Sequence, residues 1–200
     1  MFAPDYKENI PYNIEAALKL CNTVQTILGD KLFIAGDITY TDFMVYWALK
    51  YFNRFEASII TSFPKLIAYV ERMNFLKNVD AAEKLYDTKL ALLPGNAGWM
   101  EDHPFDPEVP VLGYWGIIGR GDQCRILLHH LGVKFEDKLY APGAEAEDGL
   151  WPGNKDNLGM VVPNMPYWKE GDVVHAETLQ VLRSICRKYN PQYLGRNPKE

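Results

Sequence analysis

Residues 100–110, MEDHPFDPEVP, place three prolines and four acids in eleven positions, and no helix or sheet ladder runs through such a segment. It reads as an extended, solvated linker that divides the 200-residue chain into two units. Hydrophobic residues make up 48% of the chain and aromatics 13%, enough to bury real cores on both sides of the seam and to exclude wholesale disorder.

Before the seam the apolar period is that of a helix. Ile14, Ala17, Leu18, Cys21, Val24 and Leu28 recur at three- and four-residue steps, an amphipathic stripe. ITYTDFMVYWALKYF is apolar on nearly every face and belongs in the middle of a bundle. Thr39 and Asp42 stand three apart at its start, where hydroxyl and carboxylate can each take an orphan backbone N–H. A third helix begins near Pro64, with Leu66, Ile67, Val70 and Met73 inward.

After the seam the period changes. VLGYW is a short strand. Gly119–Gly132 carries Cys124, Ile126, Leu127, Leu128 and Leu131 at helical spacing, and Lys134–Tyr140 alternates as a second strand. A glycine- and proline-containing loop over 141–159 follows. MPYWKEGDVV then reads as a hairpin turning at Glu170-Gly171-Asp172, and a last helix, Ala176–Lys188, buries Leu179, Leu182, Ile185 and Cys186. The expected fold class is α+β with two domains: an all-α half over 1–99, the linker 100–110, a thioredoxin-like βαβ-ββα domain over 111–190, and a tail over 191–200.

The net charge of −5, with no Lys/Arg block, argues against a nucleic-acid groove or an anionic membrane surface as partner. No apolar run approaches the ~20 residues that span a bilayer. MFAPDYKENI lacks the basic-then-apolar order of a signal peptide. Cys21, Cys124 and Cys186 are odd in number, far apart and form no CxxC, so they read as reduced structural thiols. The expected setting is cytoplasmic.

Three fragments carry candidate chemistry, each with an ordinary alternative. Tyr114, in GYW, ends the first strand just before a helix; the ordinary alternative, which this fragment alone favours, is an edge-strand core aromatic. Pro166, in VPNMP, stands at a strand entry; a cis Met165–Pro166 bond would present the backbone of Met165 to a peptide, and an ordinary trans proline would not. Glu177 and Thr178 open the last helix, where a hydroxyl and free N–H groups can hold a carboxylate; the alternative is a simple helix cap.

In their order and spacing, GYW, IRxLL-like helix residues, a Trp–Lys loop, PNMPY and an acid–hydroxyl pair opening a helix closely resemble the N-terminal domain of mu-class glutathione transferases, from Leu112 to about Asn190. LGDKLFIAGDITYTDFMVYWAL and FPKLIAYVERM are similar to the central buried helix of that family's C-terminal domain and to the helix after it. The resemblance implies detoxification chemistry. Glutathione would bind as co-substrate, with no prosthetic group and no metal, for attack on a hydrophobic electrophile. Met165 would pair with its cysteinyl part and Glu177 and Thr178 would hold its γ-glutamyl end. Trp115, Trp151, Lys155 and Asn164 would surround the rest, and the Tyr114 hydroxyl would donate to its sulfur. A homodimer is the partner state the family implies.

Several features depart from that family. The thioredoxin-like domain comes last instead of first, as in a circular permutant or a piece of a tandem. Eleven residues reach roughly 36–40 Å, so a permuting join is sterically allowed. MFAPDY resembles the junction just after the first helix of the helical domain, and KYNPQYLGRNPKE stops where that helix should begin, which favours the tandem. Asp148 replaces an arginine that helps hold the glycine carboxylate. Phe2, at the electrophile pocket, replaces an assisting tyrosine. Glu177 replaces a glutamine. The competing expectation is a non-catalytic glutathione-binding or interaction module of the same ancestry. A dithiol oxidoreductase is disfavoured because no cysteine stands near Tyr114.

Overall fold

A computed structural model describes residues 8–91, 106, 108–140, 151 and 155–195, with the backbone alone for 87–91. The described residues hold seven α-helices and one four-stranded sheet. The helical half contains α1 (Ile10–Leu28), α2 (Tyr40–Phe55), the single turn α3 (Ser58–Thr61), α4 (Pro64–Asn74) and α5 (Val79–Ala91). Then follow β1 (Val111–Trp115), α6 (Gly121–Leu131), β2 (Glu136–Tyr140), β3 (Tyr167–Glu170), β4 (Val173–Ala176) and α7 (Thr178–Tyr189). Short 3-10 turns lie at Lys155–Leu158 and Pro191–Leu194.

The expected capping pair starts α2. Asp42 is fully buried and accepts the N–H of Thr39 at 2.8 Å, the N–H of Ile34 at 2.9 Å and the Tyr69 hydroxyl at 3.0 Å. One carboxylate thus ends the preceding turn, starts the helix and ties α2 to α4. From α2, Phe43, Tyr46 and Leu49 enter the core, while Tyr51 and Phe55 stay exposed. The helix is therefore central on one side only.

In the second half the strand order is β2-β1-β3-β4. β1 and β2 run parallel, joined through α6, while β3 is antiparallel to both its neighbours. Strand alternation sends Leu112 and Trp168 toward α6 and α7, and Val111, Tyr140 and Tyr167 to the other face. No Cβ would fit at Gly113, 2.1 Å from Cε1 of Tyr167, so glycine there lets the ring lie flat on β1. The last helix buries Val181, Leu182, Ile185 and Cys186, but Leu179, expected inside, is 44% exposed. It sits in the first turn of α7, ahead of the packed face.

Buried residues from both halves share one contiguous cluster, running from Ala17 and Phe43 through Leu127 to Ile185, while Val111, Tyr114, Tyr140, Met165 and Tyr167 form a second. α6 is the shared wall, against α2 and α5 on one side and α7 on the other. The first residues of the expected tail also belong to this core, since Tyr193 and Leu194 pack against it. His130, near the end of α6, joins three segments. Its Nδ1 lies 2.9 Å from the Lys77 carbonyl and its Nε2 2.9 Å from the Tyr193 hydroxyl, and its ring stacks on Tyr193.

Burial pushes the His130 pKa below its ordinary 6.5. The unfolded chain therefore takes up a proton before the native state does. Stability is complete above that ordinary value and falls as pH drops through it toward the native pKa. The urea midpoint should fall between about pH 7 and pH 5, and His130→Gln should flatten that slope. A slope identical in the variant would assign the effect to other groups.

Candidate functional site

The strand register brings the expected residues to one end of the sheet. Gly113 pairs with Tyr167, and Tyr167 with Ala176. One position further along each strand stand Tyr114, Pro166 and Glu177, in a row across β1, β3 and β4. The Met165–Pro166 peptide is cis.

Tyr114 is buried, with 7% of its surface exposed, and its hydroxyl accepts the backbone N–H of Arg120 at 3.0 Å. That bond uses a lone pair and leaves the hydroxyl hydrogen to be donated elsewhere. The ring is closely confined: a Cβ on Gly121 would stand 2.5 Å from its Cγ, and one on Gly119 2.8 Å from its hydroxyl oxygen.

Glu177, the residue before α7, holds φ at +73°, a left-handed conformation that costs a non-glycine residue about 1–3 kcal/mol. Its Oε1 accepts from the Asn164 amide nitrogen, and Asn164 Oδ1 accepts the N–H of Met165 at 2.8 Å. Asn164 thus links the loop before β3 to the mouth of α7. A ligand pairing with the Met165 backbone has to displace that side chain. Thr178 is the first residue of α7.

The remaining described candidates gather at one cluster. Trp151 packs on the face away from the helices, stacked on Tyr167 at 6.0 Å and edge-on to Tyr140 at 5.5 Å. Trp115 packs against the same cluster. Lys155, half-buried, opens the 3-10 turn whose Leu158 also reaches it. Phe2 and Asp148 lie outside the described residues.

Burial pushes the thiols of Cys21 and Cys186 up, to about 11 and about 12, and raises that of Cys124 as well. None of the three is a ready thiolate at neutral pH. Among the described residues no group of His, Cys, Asp and Glu is arranged to hold a metal, and no helix is long and apolar enough to cross a membrane.

Sequence reasoning missed the charged group beneath the tyrosine. Arg125, fully buried on α6, pairs with Asp122 at 2.7 Å and with Asp137 at 3.1 Å. A lone arginine inside the apolar run CRILL was the available signal, because such a residue is buried only where carboxylates meet it.

Residues 4–83 match the family model described as "Glutathione S-transferase, C-terminal domain". Over 80 residues the chain is 48% identical to a glutathione S-transferase of Tyrophagus putrescentiae, covering 40% of this chain and 37% of that protein. Over 82 residues it is 42% identical to one from Dermatophagoides pteronyssinus, covering 40% and 37%. A class-mu 26 kDa isozyme of Schistosoma mansoni is 41% identical over 92 residues, covering 46% and 44%. The chain thus spans less than half the length of these relatives. Over residues 4–83, its N-terminal helical part, the chain is thus similar to the C-terminal domain of glutathione S-transferases.

Proposed function

We propose that residues 111–190 are a thioredoxin-like domain that binds glutathione, and that the chain is a glutathione transferase acting on hydrophobic electrophiles. The observation that carries the reading is the row of Tyr114, Pro166 and Glu177 at one end of the sheet. A peptide laid along the start of β3 would have the Met165 backbone beside it, the N-terminus of α7 at one end and the Tyr114 hydroxyl within its reach. On this reading 1–99 is the helical domain and 100–110 the linker. The permuted or tandem order, a homodimer and a cytoplasmic setting belong to the same proposal and rest on the family resemblance.

The thiolate, not the thiol, is the nucleophile. A free thiol near pKa 8.5 is mostly protonated at neutrality, and each unit of lowering requires ~1.4 kcal/mol of preference for the anion. A hydrogen bond to a charged group contributes about 1.5–3 kcal/mol, which corresponds to one to two units. Tyr114 is suited to donate it, because its oxygen already accepts from Arg120 and its hydrogen remains to be shared. Holding the electrophile beside that sulfur adds proximity. Sulfur then forms its bond to the electrophilic carbon, and the leaving group departs with the bonding pair.

The test is conjugation of glutathione to an aromatic halide by the 200-residue chain. Turnover above the solution rate is expected. Retention of the chain on immobilised glutathione without turnover would replace the enzyme reading with the non-catalytic binding module.

A further inference from the structure

The packing beneath Tyr114 points to residues that act on it without touching a substrate. Arg125 Nη1 donates to Asp122 Oδ1 at 2.7 Å and Nε donates to both oxygens of Asp137 at 3.1 Å, while the buried Nη2 meets no acceptor. The guanidinium carbon lies 5.8 Å from the Tyr114 ring centroid and 5.1 Å from that of Tyr86. A guanidinium within about 6 Å of an aromatic face is attracted to its π-density. Two rings therefore flank a buried fork whose donors the carboxylates do not exhaust.

The loop that grips the hydroxyl is held from the same place. Asp122 Oδ2 accepts the N–H of Gly119 at 2.7 Å, and the next N–H, that of Arg120, is the one that reaches the Tyr114 oxygen. That same carboxylate oxygen accepts Trp47 Nε1–H at 3.4 Å. Trp47 stands on α2 and Tyr86 on α5, both in the helical half.

We propose that Arg125 and Asp122 are positioning residues for Tyr114, and that the helical half sets the tyrosine's geometry through Trp47 and Tyr86. The inference rests on the reading that Tyr114 serves a glutathione thiol. One route runs from Trp47 through Asp122 to the Gly119–Arg120 loop and the hydroxyl. The other runs from Tyr86 through the guanidinium to the ring face. Both constrain the direction in which the hydroxyl donates, and a misplacement of about 1 Å is enough to slow a positioned reaction severely.

The test compares Arg125→Lys and Trp47→Phe with the unaltered full-length chain, by steady-state kinetics with glutathione and by 19F NMR of fluorotyrosine-labelled protein. The Tyr114 resonance is identified by its absence from Tyr114→Phe. Arg125→Lys, which keeps charge but loses the fork, should lower kcat about tenfold with KM for glutathione changed less than about twofold. Trp47→Phe, which keeps a ring but loses the N–H, should lower kcat about threefold. Both should move the Tyr114 resonance.

The resonance is read whether or not the chain turns over. An unaltered chain without conjugation would sink the thiol reading while a moved resonance still upheld the positioning. A Tyr114 resonance unmoved in Trp47→Phe overturns the proposal, as does a kcat within about twofold of the unaltered chain's in both variants of an active protein. If Arg125→Lys fails to fold, Trp47→Phe, at a half-buried position on α2, decides alone.

Discussion

Tyr114→Phe should lower kcat/KM for conjugation by about 10- to 150-fold, the kinetic equivalent of one lost hydrogen bond to an anion at about 1.5–3 kcal/mol. Glutathione affinity should change little, because Met165, Glu177 and Thr178 hold the tripeptide on the proposed reading and the phenylalanine ring fits the same space between Gly119 and Gly121. The pH profile supplies a second readout. Without the donor, the bound thiol should ionise nearer the free value of about 8.5, so the acid limb of kcat/KM moves up. The substitution also leaves the Arg120 N–H without its 3.0 Å acceptor, for which a stability loss of about 1 kcal/mol is expected. Equal kcat/KM for both proteins, with the same acid limb, would remove Tyr114 from the chemistry.

The largest stability effect belongs far from that site. Asp42→Ala strands two backbone donors, the N–H groups of Ile34 and Thr39, and leaves the buried Tyr69 hydroxyl only the residue 42 carbonyl at 3.1 Å. A loss of about 2–4 kcal/mol is expected, which lowers Tm by roughly 5–15 °C in a chain of this size. Asp42→Asn keeps one acceptor oxygen and should fall between the two. Thermal unfolding followed by circular dichroism separates the three proteins. An alanine variant within about 1 °C of the parent would mean that the cap is replaced by water or by a shifted turn.

The parts of the fold legible in the sequence were those written at short range. The stripe Ala17, Cys21, Leu28 repeats at helical spacing, and the Thr39–Asp42 pair is a local signal with a local partner. VLGYW and the Glu170–Asp172 turn declared themselves in the same way. α5 did not: VDAAEKLYDTKLA alternates charge and small residues, and its place is fixed by Tyr86 meeting His129 on α6. Leu179 was misjudged because helical period gives a face but not where the packed neighbour ends.

The same division holds at the candidate site. GYW, PNMPY and the Glu177-Thr178 step are short strings, yet their gathering depends on a register that only paired strands define. Arg125 could be found in CRILL as an anomaly, but its partners are three residues on one side and twelve on the other, on different elements. The Trp47–Asp122 contact joins residues 75 positions apart, a distance at which no single-sequence pattern speaks.

On the proposed reading, this chain holds glutathione at the end of its sheet. Trp115 and Trp151 both pack within the same cluster there, so their fluorescence is a direct probe. Titration of the 200-residue chain with glutathione should give a saturable change in that fluorescence, weakened at least tenfold in Glu177→Ala. An unchanging signal up to millimolar glutathione, with no heat of binding by calorimetry, would contradict the account.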